Sequence, residues 1–532
     1  MRKKSPPSAQ FGVNIFLWLI LALASLLGVV GCGGSGASPS LGGGGGGGTG
    51  NVLPCTFTPP ASGGNTSGAG VGTQISNDYF GMHLNSEDAP WPFFLLNGSN
   101  DTLPFGSQRL WDAGIAWSQV NTASGVYDWT GAPQNADIWM SDARAHQPLN
   151  ELYTLARTPM WASSDPSDDS CVDSAENGGG QCHPPIDLNT DGTGTNDIWI
   201  AWVTAAAQYS AAKKAAGEPG FSYYEIWNEW NSSVSWLGTP QQLVRMEQDA
   251  RCIVEGPPSG KSCYPDSVFP SGKAIDSSAK IVSPSPVGAH PMLSAVSDSL
   301  QTYFSTTVNT YPGGSFSDFI GFHGYVGTGT KSTTTALPCP TPEDVNTVIA
   351  DMNTTLASFP QITAGKPLFN TEGGWSEADV EGFTDQDRQA AFLPRYLLLQ
   401  QSANIARVYW YAWDSKRLSS LYNDTTGQAT LAATAYSEVN QWTVGATLSR
   451  ACSATGTVWT CGFTRPGGYA ALAVWDAGQD CTASSCPTTT FPVPAGGYIE
   501  YRDMAGNVTQ LGTATSVQIG AKPILLETAP LP

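Results

Sequence analysis

The chain has 532 residues, 41% of them hydrophobic, enough for a large domain with an appendage and for a substantial core. Its formal charge of −20 excludes nucleic acid and anionic membrane surfaces as principal partners, because both require a basic face. The 18 tryptophans supply flat apolar surfaces that serve a core and can also serve a ligand.

The chain opens on a targeting segment. Arg2, Lys3 and Lys4 precede an apolar run from Phe11 to Gly31, which ends in Val29-Val30-Gly31-Cys32. A small residue before cysteine at the end of such a run resembles the lipobox of bacterial lipoproteins, in which the cysteine carries lipid. The expectation is a signal peptide over 1–31, then a lipidated Cys32 and a glycine-rich tether over 32–72. That places the body in the bacterial cell envelope, on the outer membrane or cell surface, with lipid as its only membrane contact. An uncleaved membrane anchor is the alternative, since the run is close to the roughly 20 residues a span needs. Removing Cys32 from the 11 cysteines leaves an even ten, as disulfides in an oxidising compartment require. Local spacing offers Cys171–Cys182, Cys252–Cys263, Cys452–Cys461 and Cys481–Cys486, which leaves Cys55 and Cys339 for each other. No CxxC pair exists and the five histidines lack ligand spacing, so no metal site is expected.

The body, 73–444, alternates short apolar runs with amphipathic stretches. Strands are expected at a run ending near His83, at 105–111, and at LNELYTLA (149–156), FSYYEIWN (221–228) and AKIVSP (279–284). FIGFHGY (319–325), KPLFNTE (366–372) and ARVYWYAW (406–413) follow. Helices are expected between them, for example at 197–216 and 385–402. Eight β/α repeats predict an α/β fold of the (β/α)8 TIM barrel type. A doubly wound sheet is the alternative, but no glycine-rich phosphate loop follows an early strand. From 445 to 532 short alternating runs with glycine and proline turns predict a small antiparallel, sandwich-like β domain.

Barrel chemistry sits where strands end at the C-terminal face. The fourth run ends in Asn228-Glu229 and the seventh in Thr371-Glu372, followed by Gly373-Gly374-Trp375. Two carboxylates facing each other across a barrel mouth are the equipment of glycoside hydrolysis with retention, whereas wider spacing serves inversion. Glu225, lower on the fourth run, is read as barrel filling.

IWNEWN (226–231) and LFNTEGGW (368–375) together resemble the acid/base and nucleophile segments of clan A glycoside hydrolases, most nearly the family 39-like members. The resemblance extends to FGMH (80–83), RLWDAGIAWSQVNTASGVYDW (109–129), YTLARTPMWAS (153–163), FHGY (322–325) and YWYAWD (409–414). It implies Glu229 as acid/base, Glu372 as nucleophile and Asn228 on the sugar 2-hydroxyl. It further implies Arg109 and Tyr325 on Glu372, and His323 on sugar hydroxyls. Trp413 would floor the subsite of the reacting sugar, with Trp161, Trp375 and His83 as further substrate contacts. The sequence departs from the family pattern at Trp230, where proline often follows Asn-Glu, and in the segments around Cys171–Cys182 and Cys252–Cys263. The implied protein is a monomeric, cofactor-free retaining β-glycosidase acting on a polysaccharide or oligosaccharide. A non-catalytic surface carbohydrate-binding protein and a transglycosylase are the alternatives.

Overall fold

A computed structural model describes residues 52–531 apart from 97–98, 132, 147–148, 173–177, 266, 268–273, 290, 416–417 and 483–484. The expected signal peptide and Cys32 lie outside the described residues. Eight parallel strands follow in chain order around a closed ring: β1 (Phe80–His83), β2 (Ser107–Leu110), β3 (Asn150–Leu155), β4 (Phe221–Ile226), β5 (Lys280–Val282), β6 (Ile320–Gly324), β7 (Leu368–Gly373) and β8 (Ile405–Trp410). β8 pairs with β1 through Val408 and Phe80. The ring closes between β5 and β6, where Val282 bridges Phe319 and the short strand Val287–Gly288 continues the edge along β6. This is the (β/α)8 barrel, with strand ends displaced from the expected runs by at most three residues.

A hairpin, Phe93–Leu96 with Ser99–Thr102, links β1 and β2. Helices follow the other strands: α1 (Ala136–His146), α2 (Asp197–Ala215), α3 (Pro240–Val254), α4 (Ala295–Ser305), α5 (Val345–Ser358), α6 (Gln386–Ser402) and α7 (Leu431–Thr443). Their starts follow capping chemistry. Thr239 Oγ1 accepts from the Gln242 amide ahead of Pro240, and Asp385 accepts from the amides of Asp387 and Arg388.

The barrel interior is layered. At the N-terminal end Leu152, Val282, Phe369 and Tyr409 pack with Tyr223 and Phe319, and the Phe319 and Phe369 rings stack at 4.3 Å. Above this apolar plug the lining turns polar, with Thr154, Glu225, Ser285 and Thr371 joined by hydrogen bonds. A filled base and a polar upper layer confine ligands to the C-terminal mouth.

Residues 447–527 form an antiparallel sheet that runs Thr447–Thr455, Val458–Thr464, Ala470–Asp476, Ile524–Glu527, Glu500–Arg502, Val508–Gln510. A separate pair, Thr489–Pro492 with Ser516–Ile519, contributes Val517 and Ile519 to a core shared with Leu472, Val474, Ile524 and Leu526. The sheet docks on the barrel through Trp475, whose Nε1 donates to Glu343 at 3.0 Å while Arg395 of α6 pairs with the same carboxylate.

All five disulfides expected from spacing form, including Cys55–Cys339. That long-range bond shortens the expected tether. Residues 52–72 are part of the folded body, because Cys55 is bonded to Cys339 and Gly64–Asn65 adds an edge strand beside Ala454 and Ser453. Composition reads this segment as tether because an edge strand of two residues has no periodicity to detect.

Candidate active site

Glu229 lies three residues beyond the end of β4. The chain reaches it through two non-glycine residues in the left-handed region, Trp227 at φ 63° and Glu229 at φ 44°. Bulky side chains avoid this region, so the surrounding packing has to impose it. Trp227 is held by its Nε1 donating to Ser235 O at 2.8 Å and by an edge contact with Trp236, and the buried Trp230 ring tilts against Tyr303. The turn leaves Asn228 and Glu229 lining a cleft with Trp111, Asp112, Glu372, Glu377 and Tyr411. On β7, Glu372 precedes two glycines that permit close backbone packing. A Cβ on Gly373 would sit 2.2 Å from the Tyr396 hydroxyl, and one on Gly374 2.3 Å from Ser419 Oγ.

Arg109 at the end of β2 is the hub. Its Nε donates to Glu225 Oε2 at 2.8 Å, one terminal nitrogen to Glu372 Oε2 at 2.6 Å and the other to Asn228 Oδ1 at 2.7 Å. The Tyr325 hydroxyl donates to the second oxygen of Glu372 at 2.7 Å. His323 Nδ1, on β6, lies 3.0 Å from Glu229 Oε1 and 3.8 Å from Glu372 Oε2. One carboxylate oxygen of Glu229, one of Glu372 and a His323 nitrogen all lie within 4.8 Å of one another.

These surroundings set the protonation states. Burial, reinforced by Asp112 and Glu225 and opposed by Arg109, pushes Glu229 up to about 7. Burial, reinforced by Glu229, raises Glu372 as well, although the Arg109 charge and the Tyr325 hydrogen bond pull the other way. Burial works against Glu225 too, yet Arg109 together with the hydrogen bonds of Ser285 and Thr371 holds that carboxyl below its usual range. His323 is pushed down to about 4, chiefly by burial, so its imidazole is neutral at neutral pH. Burial keeps the Tyr325 phenol protonated and able to donate.

The structure thus brings together Glu229, Glu372, Asn228, Arg109, His323 and Tyr325. His323 meets Glu229 directly through Nδ1. Three expectations are corrected. Trp413 is fully buried, its Nε1 donating to Pro90 O at 2.9 Å and its ring stacked on Tyr422, so it floors no subsite. Trp375 is buried among Phe383, Phe392 and Trp410. His83 is buried, its Nε2 donating to Thr371 O at 3.0 Å. Trp161 is partly exposed and lies outside the cleft lining. The aromatic wall comes instead from Trp111 and Tyr411. Tyr411 donates to Asp112, which also accepts from Arg157 at 2.8 Å. Glu225, expected as filling, is the anchor of Arg109. The available signal was an acidic residue at an inward-facing position of β4 with a basic residue on β2, since two buried charges of opposite sign seek each other.

Among the described residues, two groups have metal-ligand character. Asp168, Cys171, Cys182 and His183 cluster, but both cysteines are spent in a disulfide and offer no thiolate. Glu229, His323 and Glu372 offer three ligand atoms, but the Arg109 guanidinium already occupies the positive position beside Glu372.

Similar solved structures include the GH39 enzyme from Xanthomonas axonopodis pv. citri, with a TM-score of 0.53, 16% identity, and coverage of 86% of this chain and 95% of that one. A monomeric beta-xylosidase from Caulobacter crescentus CB15 matches with a TM-score of 0.50 and 16% identity, covering 85% of this chain and 99% of that one. At these identities the likeness shows the fold alone, a (β/α)8 barrel. No protein-family model and no curated protein matches the sequence.

Proposed function

We propose that the protein is a retaining glycoside hydrolase acting on β-linked glycans. The observation that carries this reading is the short separation of Glu229 and Glu372, within 4.8 Å between one oxygen of each. Retaining enzymes hold their carboxyl groups about 5–5.5 Å apart, whereas inverting ones leave about 6.5–9.5 Å for a water. In the first step a Glu372 oxygen bonds to the anomeric carbon as the bond to the leaving oxygen breaks, and that oxygen takes the Glu229 proton. In the second, Glu229 takes a proton from water, the water oxygen bonds to the anomeric carbon, and Glu372 is released. Arg109 and Tyr325 aim Glu372, and His323 positions Glu229. Asn228, its Oδ1 taken by Arg109, has its amide nitrogen to offer the 2-hydroxyl. The five disulfides support an exported body, anchored through Cys32.

The chemistry needs Glu229 protonated and Glu372 ionised in the free enzyme. kcat/KM on an aryl β-glycoside is therefore expected to fall as pH rises through about 7, where Glu229 loses its proton. Glu229→Gln should lose that alkaline limb. An enzyme whose limb persists in the variant does not use Glu229 as its acid.

A further inference from the structure

We infer that Trp161 and the loops after β3 and β4 form an outer subsite that holds the continuing glycan chain of a polymeric substrate, an inference that rests on the proposed hydrolysis. Trp161 is 37% exposed and is the one aromatic among the large apolar side chains exposed in the described residues. Its Nε1 donates to Asn121 O at 2.8 Å, which fixes the ring while leaving a face to solvent. Met160, Ile186 and Leu237, exposed by 53%, 65% and 42%, are the other large apolar side chains exposed in these two loops. A fixed indole with apolar neighbours suits the C–H face of a sugar ring.

The platform is built and not a frayed loop. Ile186 N donates to Ala162 O at 2.9 Å, Leu237 N to Cys182 O at 2.7 Å and Ser164 N to Pro184 O at 3.0 Å, with Cys171–Cys182 closing the loop. Beside it runs a groove of about 540 Å³ whose lining mixes the apolar Pro184, Leu188 and Leu237 with Ser164, Asn189 and Asp191, groups able to bind hydroxyls. Continuity with the cleft comes through Arg157, four residues before Trp161, which pairs at 2.8 Å with the cleft-lining Asp112. Four residues span at most about 14 Å, so platform and cleft are neighbours on the barrel mouth.

The test compares wild type with Trp161→Ala and Trp161→Phe on an aryl monoglycoside and on oligosaccharides and polysaccharide of the same sugar. The ratio of kcat/KM on polymer to kcat/KM on aryl glycoside is expected to fall about tenfold in Trp161→Ala, as removal of an aromatic contact commonly does, with Trp161→Phe retaining more. An unchanged ratio overturns the inference. If wild type hydrolyses neither substrate, the hydrolase reading fails separately. Retardation of the full chain in polysaccharide-containing gels then decides the subsite. Retardation that Trp161→Ala abolishes supports it, and equal mobility of the two proteins overturns it.

Discussion

Glu372→Ala is expected to reduce kcat on an activated aryl β-glycoside by at least about 10⁴-fold, on the order of 5.5 kcal/mol of lost transition-state stabilisation. Arg109 and Tyr325 hold both oxygens of Glu372 in register for attack, and the neighbouring cleft carboxylate Asp112 is already committed to Tyr411 and Arg157. Azide supplied to the variant should occupy the space left by the side chain and attack the anomeric carbon on the face Glu372 used. The product is then a glycosyl azide of inverted configuration, formed with the leaving group protonated by the intact Glu229. Chromatography and NMR of the product check this. Near-normal turnover in Glu372→Ala would remove the residue from the chemistry.

The second large effect is expected at Arg109. Its guanidinium is fully buried and shared among Glu225, Glu372 and Asn228, so Arg109→Met leaves two carboxylates without that counter-charge in the barrel interior. Breaking a buried pair from one side costs about 3–5 kcal/mol, because the remaining charge keeps its desolvation penalty. Urea denaturation should show that loss. The double variant Arg109→Met with Glu225→Gln should recover part of the stability, since it removes one orphaned charge. It should not recover activity, because Glu372 still lacks the cation that favours its ionised form. Recovery of both would make Arg109 a purely structural residue.

The barrel was legible because strand and helix periodicities are local. Runs such as KPLFNTE and FIGFHGY carry their apolar pattern in a few consecutive residues, and the structure moves their ends by only one or two. The catalytic pair was legible for the same reason, as each carboxylate closes a run. What could not be read is where side chains turn once a strand has ended. Trp413 and Tyr411 are two residues apart beyond β8, yet Tyr411 lines the cleft while Trp413 packs inward on Tyr422. That choice is made by tertiary packing with Phe93 and Pro90, hundreds of residues earlier in the chain. The role of Glu225 was hidden likewise, since its meaning depends on Arg109 facing it from another strand. Residues 52–72 looked like linker because their attachments, Cys339 and the strand Thr447–Thr455, are remote in sequence.

The central claim is that Glu229 and Glu372 act in a double displacement, and proton NMR of the first-formed product tests it most directly. Hydrolysis of a β-glycoside followed from its first minutes should release the β-anomer, which then mutarotates to equilibrium. Initial release of the α-anomer would mean a single displacement by water and would contradict the assignment of Glu372 as nucleophile.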